Sequence, residues 1–321
     1  MARQARWRRI IGWLIIAGLV GINAVAFMQA RAMTNFVGAG ARTPAIEALS
    51  LPQKAWVVLT GVSVPRPLNE NTPADLGLLY ETDRIDAGQG EWLEAWWIPA
   101  GGSRGVVLMF PGYATGKSVL LSSAAAVHEM GFDLLLVDFR GAGGSSGQST
   151  TIGVREAKDV ALTTKYVRSK WPGSRIVLYG ESMGAVASLR AIAREQVDPD
   201  AVILESPFDR LLDTVSNRFN SMGLPAFPGA QLVVFWGSIQ QGFNGFEHNP
   251  VDYATAVKCP ALMLHGEQDP RVTPSQARDI YNHLTTATKT FVTFPGAGHE
   301  MLVNSDPLTW KSQVQKFLQE K

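Results

Sequence analysis

From residue 106 onward the chain repeats one texture. Short apolar runs without alternation, Val106–Phe110, Leu134–Phe139, Ile176–Tyr179, Val202–Leu204, Ala261–His265 and Phe291–Phe294, are separated mostly by longer stretches of helical pattern. Those stretches are Val119–Met130, Gly153–Lys170, Met183–Arg194, Ser275–Leu284 and Pro307–Lys321. Continuous apolar runs are what strands covered on both faces look like, and strand–helix alternation predicts a mainly parallel sheet with helices on both sides. Ahead of this region, Leu78–Ile85 and Glu91–Ile98 flank Ala87-Gly88-Gln89-Gly90. The second of these segments alternates, so the pair predicts an antiparallel hairpin at a sheet edge.

Two intervals break the rhythm. Between Glu205 and Pro260 lies a long excursion containing Phe208, Phe219, Phe227, Phe235, Trp236, Phe243 and Phe246. Long excursions in compact α/β domains are lids, binding loops or satellite cores, and a small helical cap with an apolar underside, about residues 208–258, satisfies both readings. At the other end, Arg3, Arg6, Arg8 and Arg9 precede an uncharged apolar run over residues 10–30. At about 1.5 Å per residue, ~20 residues cross a ~30 Å hydrocarbon core. An uncleaved anchor matches the length. The A-x-A tripeptides Ala30-Arg31-Ala32 and Ala24-Val25-Ala26 suit a cleaved signal, and a buried core helix leaves the arginines unexplained. With an anchor or a signal, the basic residues 1–9 stay in the cytoplasm and the catalytic part lies outside. Residues 31–75, rich in Pro, Gly, Thr and Asn, are expected to be a linker and irregular entry segment. Within it Trp56–Leu59 is a short helix or strand. The globular domain is expected over residues 76–321.

Composition narrows the classes. The 321 residues are 46% hydrophobic and carry a net charge of +1, so no broad basic field invites nucleic acid. The single cysteine, Cys259, allows no internal disulfide and no cysteine zinc cluster, and its place before Pro260 in an apolar run suits a small buried hydrophobe.

Chemistry concentrates at Gly180-Glu181-Ser182-Met183-Gly184, between a strand and a helix. A Gly-x-Ser-x-Gly there is a nucleophile elbow, a turn so tight that the serine backbone is strained and side chains at Gly180 and Gly184 would strike the neighbouring strand and helix. A serine hydroxyl needs a base, and the base an orienting acid. In chain order Asp269 follows, in Gly266-Glu267-Gln268-Asp269 just past a strand, and then His299, in Gly298-His299 past the last strand. All three lie at carboxyl ends of strands, the edge where open α/β sheets build sites. Glu205 and Asp209 are the alternative acids. His128, His248, His265 and His283 sit in helical, cap or strand contexts. Oxyanion donors are expected from the backbone N–H groups of Met183 and of Tyr113, in Pro111-Gly112-Tyr113-Ala114, where Gly112 permits close approach.

These motifs, with Asp138-Phe139-Arg140-Gly141-Ala142-Gly143-Gly144-Ser145, make the chain from about Leu78 onward resemble an α/β-hydrolase-fold serine hydrolase. It is most similar to the branch of serine aminopeptidases, monoacylglycerol lipases and membrane-attached relatives. The resemblance implies nucleophile Ser182, acid Asp269, base His299 and oxyanion donors Tyr113 and Met183. Many relatives carry His-Gly where this chain has Pro111-Gly112. The segment from Asp138 to Gly147 resembles a turn-building loop of the family.

Two readings compete. Gly112-Tyr113-Ala114-Thr115-Gly116-Lys117-Ser118 follows a strand as a phosphate loop would, but has three residues between its glycines where that loop needs four. A non-catalytic binding protein on the same scaffold would lack a triad member, and none is missing. The expected activity is hydrolysis of esters or thioesters of apolar acyl groups on a small-molecule or lipid substrate, with no cofactor or metal required. The runner-up is an exopeptidase, which would need acidic residues for an amino terminus. Glu247 and Asp252 are the only carboxylates between Leu224 and Lys258.

Overall fold

The computed structural model describes residues 2–38, 43–44 and 49–319. Two helices come first, α1 (Ala2–Thr34) and α2 (Leu51–Thr60). A hairpin follows, β1 (Glu81–Gly88) and β2 (Glu91–Ile98), then β3 (Val106–Phe110), α3 (Leu121–Glu129), β4 (Asp133–Val137), α4 (Glu156–Lys170), β5 (Ile176–Glu181), α5 (Met183–Arg194) and β6 (Ala201–Glu205). The cap contributes α6 (Leu211–Ser221), α7 (Gly229–Gln241) and α8 (Pro250–Ala254). The chain closes with β7 (Ala261–Gly266), α9 (Pro274–His283), β8 (Lys289–Phe294), α10 (Leu302–Ser305) and α11 (Pro307–Gln319).

One eight-stranded sheet runs in the order β1-β2-β4-β3-β5-β6-β7-β8. The six strands from β4 to β8 are parallel, while β1 and β2 pair antiparallel and β2 joins β4 antiparallel. The period of two along each buried strand feeds two cores. Val106, Leu108 and Phe110 point to one face with Val160, Ala187, Leu189 and Ile280. Val107 and Met109 point to the other, with Val127, Trp310 and Val314. Each such aliphatic side chain contributes about 1.5–3 kcal/mol on burial. The two-sided apolar runs are thus the fold's main driving force and the reason its strands were legible. This is the expected mostly parallel α/β sheet, with helices on both faces and an antiparallel edge hairpin.

Differences from expectation have local causes. Of the two forms expected for Trp56–Leu59, helix or strand, the chain takes the helix, within a longer α2 that starts at Leu51. The basic stretch before Ile10 is helical and continuous with α1. Helix α4 starts at Glu156, not Gly153, because the Glu156 carboxylate accepts from Thr150 Oγ1, Thr151 Oγ1 and the N–H groups of Thr151 and Gly153, holding those residues in a loop. The last two residues of the expected C-terminal helix, and 39–42 and 45–48 of the expected linker, lie outside the described residues.

Candidate active site

Strand β5 ends in Glu181 and helix α5 begins at Met183, leaving Ser182 alone between them with φ 48° and ψ −112°. A non-glycine residue there is strained by roughly 1–3 kcal/mol, held by its surroundings. The Ser182 N–H donates to Glu205 O at 2.7 Å. The flanking glycines are steric necessities: a Cβ on Gly180 would lie 2.4 Å from Ala185 N, and one on Gly184 2.2 Å from Phe110 O.

Ser182 Oγ lies 3.0 Å from His299 Nε2, and His299 Nδ1 lies 2.6 Å from Asp269 Oδ2. The second Asp269 oxygen accepts from the N–H groups of Arg271, at 2.7 Å, and Val272, at 3.0 Å. Burial pushes the Asp269 carboxyl up, but the hydrogen bond and charge of His299 and these backbone donors outweigh it, so its pKa is below the ordinary carboxylate value. An ionised carboxylate only accepts, so His299 Nδ1 must carry the proton and Nε2 faces the Ser182 hydroxyl as acceptor. Three loops, after β5, β7 and β8, meet at one sheet edge.

The other candidates stand outside this relay. Glu205 is fully buried and accepts from Tyr179 OH, Trp310 Nε1 and Leu302 N. Asp209 pairs with Arg210. His248 is buried in the cap, bonded to Ile152 O and Tyr253 OH, and burial lowers its pKa to about 4. Burial also lowers that of His265 in β7. His128 binds Pro99 O and His283 binds Asp279 O. Half-buried Cys259 has its thiol pushed up to about 12 by burial, which removes it as a nucleophile.

Across from the elbow, Pro111 O and Phe110 O crowd Gly184, so the loop carrying Gly112 and Tyr113 runs directly over the start of α5. Gly112 faces Glu181, whose Oε2 a Cβ would meet at 2.2 Å. Burial, then the Glu205 charge, raise Glu181 to about 7 against the opposing charge of His299 and the N–H of Gly112. The Tyr113 hydroxyl donates to Met33 O at 2.6 Å, a tie from the end of α1 to this loop.

Sequence reasoning missed the cluster that holds the next layer. Lys117, fully buried, places Nζ 2.5 Å from Asp138 Oδ2, 3.0 Å from Glu94 Oε1 and 4.2 Å from the Trp96 ring centre. The lysine that suggested a phosphate loop is a structural counter-ion. The segment from Asp138 to Gly147 wraps the same carboxylate: Gly144 N donates to Asp138 Oδ2, and Arg66 donates to carbonyls of Ala142, Gly143, Ser145 and Gly147. It builds a turn, as its resemblance implied.

The sequence pattern of the family described as Serine aminopeptidase, S33, matches residues 101–230 and 247–306. The chain belongs to this hydrolase family. It is similar to the alpha/beta hydrolase domain-containing protein WAV2 of Arabidopsis thaliana, 26% identical over 269 residues, covering 80% of this chain and 84% of that protein. It is also similar to lysophosphatidylserine lipase ABHD12 of Mus musculus, 24% identical over 255 residues, covering 72% of this chain and 63% of that one. Among solved structures, the Pyrococcus furiosus esterase Pf2001 superposes with a TM-score of 0.68 at 24% identity, covering 80% of this chain and 96% of its own. That likeness shows the α/β-hydrolase fold. In this family member the interval 231–246, which the family pattern passes over, falls on α7 and the turn after it.

Proposed function

We propose that this hydrolase cleaves carboxylic esters or thioesters through an acyl-enzyme on Ser182. The relay of 3.0 Å from Ser182 to His299 and 2.6 Å from His299 to Asp269 carries the reading. As Ser182 Oγ adds to the acyl carbonyl, His299 Nε2 takes its proton and Asp269 holds the imidazolium. The oxyanion receives the backbone N–H groups of Met183 and Tyr113. On collapse the ester or thioester bond breaks, and His299 returns the proton to the departing alcohol or thiol. Water, deprotonated by the same histidine, then releases the acid and restores Ser182.

The apolar cap and the N-terminal apolar helix support an apolar acyl substrate, and a lipid substrate is consistent with the lipase named among the relatives. The family description favours a second reading, cleavage of small peptides from their amino ends. The two cap carboxylates that could greet an amino terminus, Glu247 and Asp252, are exposed on the surface, which weighs against it. We read residues 10–30 as an uncleaved single-pass anchor, N-terminus cytoplasmic and catalytic domain outside. Ala26 and Ala30 are buried, and removal at either A-x-A site would strip Ala26 from the domain.

The test is fluorophosphonate labelling with hydrolysis of p-nitrophenyl esters from C2 to C16, parent against Ser182→Ala. Labelling and turnover should vanish in the variant with its melting temperature unchanged, and His299→Ala should be nearly as severe because the triad acts as a unit. Substantial turnover by either variant would overturn the assignment. Labelling without ester turnover would transfer the reading to peptides.

A further inference from the structure

Helix α1 docks on the domain along one stripe, Asn23, Ala26, Ala30 and Thr34, spaced three and four residues apart. Its partner is cap helix α7. Trp236 Nε1 donates to Asn23 Oδ1 at 3.1 Å, and the Trp236 ring meets Phe27 edge-on at 5.5 Å. Gln240 Nε2 donates to Phe27 O and Gln241 Nε2 to Thr34 Oγ1, each at 2.9 Å. Three side-chain hydrogen bonds therefore cross this junction, while Gln240 Oε1 is buried there without a partner among the described residues.

The depth of the junction follows from the helix rise. If the apolar run of α1 crosses the hydrocarbon between Ile10 and Ala30, Asn23 and Phe27 lie roughly 10 Å and 5 Å inside its far boundary. Trp236 is held at that level. From Phe219 to Phe246 the chain carries no formal charge. Phe227 is 75% exposed and Ile239 57%, with Phe235 and Phe246 also open. On the other flank of α1, Gln29 Nε2 donates to Val57 O of α2 at 2.6 Å, and α2 exposes Leu51, Trp56 and Leu59. An apolar groove of about 430 Å³ remains between α1 and Trp236.

We propose that α7 and α2 are seated with the anchor in the leaflet on the catalytic side, so that this collar holds the site at the lipid surface. The inference rests on the anchor reading above. Its occupant is the bilayer, because the open apolar faces are continuous with a helix of membrane-spanning length and lie at its depth. The collar reaches the chemistry through Met33 O, which accepts from Tyr113 OH, and through Phe36, whose ring centre lies 6.3 Å from that of Tyr113. A lipid substrate would enter sideways from the leaflet and meet the oxyanion loop at the foot of the anchor.

The test uses the full chain in phosphatidylcholine vesicles, with Cys259→Ala and one environment-sensitive fluorophore placed through Ile239→Cys, Phe227→Cys, Trp13→Cys or Glu129→Cys. Nitroxide on lipid acyl chains should quench the labels at 239, 227 and 13, and iodide in the water should quench only that at 129. Label 13 quenched by lipid with 239 and 227 quenched by iodide would keep the anchor and overturn the collar. Label 13 quenched by iodide would overturn the anchor and the collar together. Labels 239 and 227 shielded from both quenchers would assign this face to a second copy of the chain and overturn the bilayer as occupant. In the double variant Phe235→Asp, Ile239→Asp, turnover of a long-acyl ester embedded in vesicles should fall while that of a soluble short-acyl ester stays unchanged. Equal turnover of the vesicle ester would also count against the collar.

Discussion

Ser182 is held in a conformation that an isolated peptide would avoid, and each neighbour that enforces it is a backbone atom. Only glycine fits at 180 and 184, which is why those letters in the sequence carried so much. Glu181, between the glycine and the serine, is the residue whose environment the letters did not disclose. Its carboxyl, raised to about 7 chiefly by burial, gives a pH signature with a defined sign. Between the ordinary glutamate value near 4.5 and about 7 the folded chain keeps a proton that the unfolded chain has released. Stability therefore falls as pH rises through that window. Glu181→Gln stays neutral and its amide oxygen can still accept from Gly112. Its melting temperature should match the parent's at pH 4.5 and exceed it at pH 8. A gap that stays constant with pH would show that Glu181 does not titrate there.

At the scale of elements, the hairpin, the buried strands and the helix after the serine were readable because each buries a face or faces with its own period. The Lys117 cluster was not readable, because its members come from β2, the turn after β3 and the loop after β4, far apart in sequence. Replacing Lys117 with Met should cost about 3–5 kcal/mol, since Asp138, fully buried, and Glu94 would lose their counter-charge. Urea denaturation measures this directly. A loss under 1 kcal/mol would mean that water or a shifted side chain replaces the ammonium. Helix α4 teaches the same lesson in small: Glu156 reads as helix interior, yet its carboxylate is consumed by the loop before it.

The whole molecule joins a sheet, a cap and an apolar helix in one packed body. Four arginines before Ile10 and none until Arg31 set the expected orientation. The full chain should resist alkaline extraction from membranes, and a tag after its last residue should be cut by protease added outside sealed cells. A protected tag would invert the topology. A soluble chain shortened at Ala26 or Ala32 would make the segment a cleaved signal.

Order along the chain, strand periodicity and the strained Gly-Glu-Ser-Met-Gly turn are local properties, and from them the sequence by itself determined the α/β class, the hydrolase resemblance and the trio Ser182, Asp269 and His299 as candidates. What only the tertiary structure decided were the contacts themselves. His299 lies against the serine and Asp269 against the histidine, Lys117 serves a carboxylate pair, and the foot of α1 rests on Tyr113. Those depend on which strand carboxyl ends become neighbours when the sheet closes over its two cores, and no local period carries that information.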